Sequence, residues 1–436
     1  MKPIFFNDAI KGAAKVLNEI EFPAGIKPLV IRDIHGRIRV AIDANSDEHQ
    51  NLRTEIISKL GAIDTYLAAD SGVIFKDELF NSNDIFNDPA ILEVFIPVDG
   101  QTLKIQLLDR QITGQDWSSI EPETTTNIPR LVFFSLKGGV GRSTALTMLA
   151  YRLAQEGKNV LLIDLDLESP GLSGLLLPPD KMAEFGIIDW LLEDANGQGD
   201  AVLSRMISVS PLAETTTGQI RIAASMGMDE SFYLDKLSRV YADVSSGGKS
   251  LRFSERIAKL INSLEEQEKP DVILIDSRAG LHDLGALSIV VLATHAFLFA
   301  TDTAQTWQGY GHLFSHWRMR PKIAKKVREK LWIVDALFPE TNQATRAAQF
   351  LDRSYKLFSE NLYEEIAPGQ NEENTFSFDL KDESAPHSPL RIKWNNRFQE
   401  FDPLLLSRKI LTKSDIDSSF GEFLEAAFHL ATKENE

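Results

Sequence analysis

The run Phe133-Phe134-Ser135-Leu136-Lys137-Gly138-Gly139-Val140-Gly141-Arg142-Ser143-Thr144 places an apolar stretch, a glycine-rich turn and two hydroxyls in succession. Gly138, Gly139 and Gly141 lack a Cβ, so their backbone N–H groups can close around an anion, and a helix beginning near Arg142 turns its positive end to the same place. Ser143 stands where a loop of this kind sets a hydroxyl for Mg²⁺. The spacing therefore suits a cradle for phosphate oxygens. Taken alone, it also suits a glycine-rich strand-to-helix turn made for tight packing.

Two more segments narrow the choice. Asn159-Val160-Leu161-Leu162-Ile163 reads as a buried strand ending in Asp164-Leu165-Asp166, and Asp271-Val272-Ile273-Leu274-Ile275 as another ending in Asp276-Ser277-Arg278-Ala279-Gly280. In an open parallel sheet, ligand groups gather at the carboxyl ends of strands, where all three motifs fall. They are expected to form one magnesium–phosphate site. Phosphoryl transfer asks a protein for cations around the moving oxygens, a placed metal and an oriented water. Lys137 and Arg142 are the protein cations here, and Asp164, Asp166 and Asp276 the carboxylates at strand ends. Asp164 reads equally well as a carboxylate that holds the loop. Arg278 could serve the phosphate or pair with Asp283.

Through Lys137-Gly138-Gly139-Val140-Gly141-Arg142-Ser143-Thr144, Asp164-Leu165-Asp166 and Asp276-Ser277-Arg278-Ala279-Gly280 the chain resembles the deviant Walker A P-loop NTPases of the MinD/ParA/Mrp (SIMIBI) type, over about residues 129–338. The resemblance implies an α/β fold with a doubly wound, mostly parallel sheet, ATP and Mg²⁺ as ligands, and an ATP-dependent homodimer that recruits a partner protein. It implies that Gly138, Gly139, Val140, Gly141, Arg142, Ser143 and Thr144 hold the nucleotide, with Thr144 at the α-phosphate. Lys137 would reach the second subunit's nucleotide, Asp166 would position the attacking water, and Ser143, Asp164 and Asp276 would serve the metal. Arg142 replaces a second lysine; its planar fork can grip two oxygens but does not reproduce a compact ammonium, so slow turnover is expected. Asp335 stands where relatives usually present an asparagine that reads adenine, and a carboxylate could accept from guanine instead, which leaves ATP against GTP open.

With 436 residues and 43% hydrophobic content, two domains are expected. Residues 1–126 read as a small α+β sensor or adaptor domain ending in a polar linker at 121–127, and residues 127–436 as the NTPase domain with an acidic, loosely ordered insertion at about 364–388. Expected elements include a hairpin at 29–42, helices at 46–60, 281–292, 343–363 and 418–432, and strands at 103–108 and 391–394. The absence of cysteine excludes disulfides, thiolate catalysis and cysteine-ligated zinc or iron–sulfur groups. No apolar run reaches about 18 residues, so a cytoplasmic location without membrane spanning is expected, and the acidic last helix argues against tethering to anionic lipid.

A net charge of −17 disfavours general nucleic-acid binding. Arg318, Arg320, Lys322, Lys325, Lys326, Arg328 and Lys330 nonetheless form a basic stretch, either a solvated helix face or a site for nucleic acid or an acidic partner. The leading expectation is a slow regulatory or positioning ATPase. The alternatives are a nucleotide-dependent binding module that does not hydrolyse, and a synthetase-type ATP-using enzyme.

Overall fold

Strands buried on both faces read as unbroken apolar runs, and such runs form the centre of the larger sheet. The computed structural model describes residues 3–68, 72–119, 126–246, 249–365, 375–398, 401–403 and 412–433. The chain divides into two units, one made of Met1–Ile120 with Ser315–Lys325 and the other of Glu121–Phe314 with Lys326–Glu436.

In the first unit, β1 (Pro28–Arg32), β2 (Ile38–Ile42), β3 (Val73–Phe75), β4 (Leu92–Val98) and β5 (Gln101–Asp109) form a sheet in the order β3-β2-β1-β5-β4. β1 and β2 make the expected hairpin: Asp33 Oδ1 accepts from the backbone N–H groups of His35 and Arg37, and Gly36 takes a φ of 81° that favours glycine. The helix expected at 46–60 is a 3₁₀ turn, Ser46–Glu48, followed by Gln50–Leu60. A helix at Phe6–Glu19, not anticipated, buries Ala9, Ala13, Ala14 and Leu17. Residues Ser315–Lys325, assigned from sequence to the NTPase region, belong to this unit. Trp317 is fully buried with its ring 6.1 Å from that of Trp117, Met319 O accepts from Phe95 N at 2.8 Å, and His316 Nε2 lies 2.9 Å from Ser118 Oγ. A basic surface pattern concealed these long-range contacts.

In the second unit, β6 (Arg130–Ser135), β7 (Asn159–Leu165), β8 (Ile207–Val209), β9 (Gln219–Ala223), β12 (Val272–Ser277), β13 (His295–Ala300), β14 (Leu331–Phe338) and β15 (Leu390–Lys393) form a sheet in the order β15-β14-β13-β6-β12-β7-β9-β8, with a separate hairpin of β10 (Val244–Ser246) and β11 (Lys249–Leu251). Every pairing in the large sheet is parallel except β8 with β9. This is the α/β fold expected of a P-loop NTPase. β6 lies between β12 and β13, so the glycine loop leaves the middle of the sheet. The helix Arg142–Gln155 follows it, started by Gly141 at φ 84°, and buries Ala145, Leu146, Leu149 and Leu153 against the sheet.

Boundaries moved where side-chain chemistry overrode periodicity. The helix expected at 281–292 begins at Asp283, because His282 Nδ1 accepts from Leu284 N, and after Ala286 it widens into a π-helical turn, Leu287–Leu292. The last helix is Lys413–Thr432, started early by Thr412, whose hydroxyl accepts from Asp415 N. Residues 121–125 of the expected linker and 366–374 of the expected insertion lie outside the described residues. Residues 375–388 are ordered: Tyr363 lies 5.7 Å from Phe376, 5.4 Å from Phe378 and 5.8 Å from His387, ring to ring, and His387 is fully buried. The polar average of that stretch hid its aromatics.

The core beneath the site depends on Phe423 of the last helix, whose ring lies 5.2 Å from Phe297, 6.0 Å from Phe299 and 6.1 Å from Phe133. Phe423→Ala should lower the unfolding free energy by about 3–5 kcal/mol, read by denaturant titration; a change within ~0.5 kcal/mol would contradict this packing.

Candidate functional site

Three strand ends converge at the site. β6 runs into Leu136–Gly141, β7 ends at Asp164, Leu165 and the following Asp166, and β12 carries Asp276. Asp164 and Asp276 are register partners on neighbouring strands, so the sheet itself sets two carboxylates side by side. Gly139 has a φ of 76°, and a Cβ built on Gly138 or Gly139 would meet nothing within 4 Å. The loop is thus open above its backbone, where an anion could be received.

At the foot of the loop Ser143 Oγ donates to Asp276 Oδ2 at 2.5 Å. Arg142, 8% exposed, points inward: its Nη1 donates to Ser135 Oγ at 2.9 Å, its Nη2 stands 3.7 Å from Asp166 Oδ2 and its Nε 3.6 Å from Asp276 Oδ1. The expectation placed this guanidinium on phosphate oxygens; in the structure it counters two carboxylates. Lys137 is half-buried, and its ammonium has no hydrogen bond or ion pair among the described residues. Thr144 is half-buried and Val140 buried at the rim.

Burial dominates the protonation of these acids. Asp164 is fully buried and its carboxyl is pushed up to about 8, first by burial and then by Asp276. Burial also raises Asp166 and Asp276, with Arg142 opposing in both and Ser143 helping at Asp276. Asp164 Oδ1 accepts from Asp166 N at 3.1 Å and Oδ2 from Leu172 N at 3.3 Å, so of its two readings the loop-holding one fits its bonds. Asp166 Oδ1 and Asp276 Oδ1 are buried without a hydrogen-bond partner among the described residues.

Those open acceptors beside a serine hydroxyl are a donor set that fits a hard divalent cation. No group of three or more His, Cys, Asp or Glu converges among the described residues. Magnesium keeps several waters and takes one or two protein ligands beside substrate phosphates, which a serine hydroxyl and a carboxylate can supply. Residues 131–296 match the family model for the CobQ/CobB/MinD/ParA nucleotide binding domain. Residues 131–296 thus carry a nucleotide-binding domain of the MinD/ParA type.

Among curated proteins, septum site-determining protein MinD of Helicobacter pylori is 27% identical over 207 residues, which is 47% of this chain and 65% of MinD, so the match stops short of two thirds of that relative. Similar solved structures include a ParA family ATPase from Chlorobium tepidum (17% identity, 68% of this chain and 98% of that one, TM-score 0.44). MinD of Aquifex aeolicus (14%, 69% and 97%, TM-score 0.41) is another. A third is cobyrinic acid a,c-diamide synthase of Mycobacterium smegmatis with bound ATP analog and magnesium (18%, 55% and 86%, TM-score 0.37).

The NTPase domain contains contacts that the sequence did not disclose. Arg278 Nη1 pairs with Glu168 Oε1 at 2.6 Å, a third possibility beside phosphate and Asp283. Glu168 also accepts from the hydroxyl of Tyr241, and Tyr233 donates to Leu167 O at 2.5 Å. The loop after β7 is thereby tied to β12 and to the helix Tyr233–Val240. No periodicity marks such ties; the only sequence signal was the acid two residues beyond Asp166. In the basic stretch, Arg320 and Arg328 are buried, and Arg328 Nη2 pairs with Glu364 Oε1 at 2.8 Å while its guanidinium lies 4.5 Å from the Phe376 ring. These two cations are buried in packing, which departs from the solvated helix face expected for the stretch. No described helix is long and apolar enough to cross a membrane.

Arg142 holds down the pKa of two carboxylates, Asp166 and Asp276, so Arg142→Met should let both keep their protons to higher pH. A carboxyl raised in the folded state contributes stability at low pH that is lost as pH rises through its folded value. The nucleotide-free variant should therefore lose more stability at about pH 8 than at about pH 5, toward the lower end of the ~3–5 kcal/mol of a broken buried pair. Thermal melts at the two pH values test this; an equal loss at both contradicts it.

Proposed function

We propose that this chain is an ATP-binding, slowly ATP-hydrolysing switch protein that dimerises on ATP and recruits a partner, with a deviant Walker A loop as its phosphate cradle. The observation that carries the reading is the Ser143–Asp276 pair at 2.5 Å under an open glycine loop, with unpaired carboxylate oxygens on Asp166 and Asp276 beside it. The backbone N–H groups of Gly138, Gly139 and Gly141 receive the phosphates at the head of the helix Arg142–Gln155. Ser143 and Asp276 hold Mg²⁺, which when bound neutralises charge on the phosphate oxygens. Asp166 orients water through its open oxygen. Asp164 keeps Asp166 in place through the backbone bond at 3.1 Å.

Lys137, having no partner within the described residues, is available to a nucleotide held by a second copy, which gives dimerisation a chemical reason. Arg142 supplies a cation to phosphate oxygens by exchanging its long contacts to Asp166 and Asp276 at 3.7 and 3.6 Å for closer ones. The loop after β7, clamped through Glu168 to Arg278, carries the nucleotide state outward to the helix Tyr233–Val240.

One observation favours a second reading, a module that binds nucleotide without turnover. Arg142 stands at the place of a phosphate-binding lysine and is already engaged by Ser135, Asp166 and Asp276. Phosphate release and oligomeric mass, measured together with Mg²⁺-ATP, separate the two. Asp166→Ala should keep ATP and the ATP-bound dimer while release falls by about 10²–10⁴-fold, the span of a lost proton-transfer group. Release unchanged by Asp166→Ala would remove this residue from the chemistry, and no release from the wild-type protein would favour the binding module.

A further inference from the structure

A groove of about 850 Å³ opens beside β15, the end strand of the large sheet among the described residues. Its volume lies within the range of about 300–1,000 Å³ that ligand sites occupy. β15 pairs with β14 on one side only, so its other side presents backbone N–H and C=O groups with no strand beside them. Leu390 and Arg391 of this strand, with Ser388 and Pro389 just before it, border the groove.

Two helices on opposite faces of the sheet wall this groove. Successive residues of a strand point to opposite faces. Phe133 of β6 meets Phe423 of the helix Lys413–Thr432 with rings 6.1 Å apart, whereas Phe134 meets Tyr310 on the other face at 6.4 Å. Trp307, one turn before Tyr310, packs on Phe350 of the helix Gln343–Asn361 at 4.9 Å. The helix Lys413–Thr432 gives the groove Glu422, Glu425 and His429, the spacing of one helix face, and the helix Gln343–Asn361 gives it Leu351. The free edge of β15 is thus bracketed from both faces, which leaves a slot shaped for an extended segment.

Charge at the groove is unbalanced toward acid. Asp382, Glu383, Glu422 and Glu425 border it against Lys381 and Arg391. Glu383 and Glu425 are exposed, and their carboxylates make no hydrogen bond or ion pair among the described residues. Arg391 does not satisfy Glu422: its Nη1 stands 3.7 Å away, beyond hydrogen-bond reach, while its Nε lies 3.9 Å from Asp335. Exposed ion pairs are individually weak, so charge at this rim selects what docks, and backbone pairing holds it.

We propose that this groove binds an extended, lysine- or arginine-bearing segment of a partner protein, which adds to β15 as the next strand and sets its cations against Glu422 and Glu425. β15 has four residues, which at ~3.3 Å each span ~13 Å, so the docked stretch is correspondingly short. Main-chain hydrogen bonds to a sheet edge hold such a segment, and the side chains beside the edge choose its sequence. Leu351 and Leu390 offer it apolar contact. The site uses none of the residues assigned above to nucleotide or metal and does not rest on that reading; it gives partner recruitment a surface of its own.

The test is fluorescence anisotropy on the full chain without nucleotide, at ~0.15 M salt, with a short labelled peptide of alternating lysine and valine and with its fully N-methylated copy. The copy keeps the charges but cannot donate backbone hydrogen bonds, and it should bind at least ~10-fold more weakly than the parent peptide. Glu422→Lys with Glu425→Lys should weaken the parent peptide at least ~10-fold. Asp200→Lys with Glu266→Lys makes the same change of net charge on helices that do not border the groove, and it should alter binding by less than ~3-fold. Circular dichroism melts establish that both variants fold. Equal losses in the two variants would reduce the binding to net charge and overturn the site. Equal binding of the N-methylated copy, or no binding of the parent peptide, overturns the proposal as well, and none of these results bears on the nucleotide site.

Discussion

Two carboxylates in register on adjacent strands, Asp164 on β7 and Asp276 on β12, are the constraint around which the nucleotide region is organised. Both are buried, so neither ionises freely, and each raises the cost of charging the other. The surroundings divide the problem. Asp164 spends its oxygens on the backbone N–H groups of Asp166 and Leu172, while Asp276 takes the hydroxyl of Ser143 and the more distant Arg142. One acid therefore shapes a loop and the other faces the glycine cradle. The same arrangement explains why the guanidinium of Arg142 is drawn inward.

The central sheet was legible in the sequence because its strands are buried on both faces and so read as apolar runs. The acids were legible because they terminate those runs. Asp276 and Asp164 needed no knowledge of register to be singled out; their side-by-side pairing did need it, since β7 and β12 are separated by more than a hundred residues and become neighbours only in the sheet. Asp164 was ambiguous for the same reason: its partners, the N–H groups of Asp166 and Leu172, belong to the backbone of a loop whose path the sequence does not give.

What stayed hidden was long-range and side-chain specific. Arg278 reaches Glu168, and Tyr233 and Tyr241 reach the loop after β7, by contacts that leave no periodic trace. Residues Ser315–Lys325 look from composition like a solvated basic face, yet Trp317 and Arg320 are buried in the first unit. Asp335 could be noticed from its position at a strand end. Its unsatisfied oxygen and the cavity it borders could not, because both depend on β13, β14 and β15 meeting.

The central claim is that the Ser143–Asp276 centre under the glycine loop is a magnesium–nucleotide site. A crystal structure of the full chain with Mg²⁺ and a non-hydrolysable ATP analogue addresses it most directly. The β- and γ-phosphates are expected within the loop of Gly138, Gly139 and Gly141, the metal on the Ser143 hydroxyl, and Arg142 turned from Asp166 toward phosphate. A nucleotide bound elsewhere, or a metal that leaves Ser143 and Asp276 bonded to each other as they are without it, would contradict it.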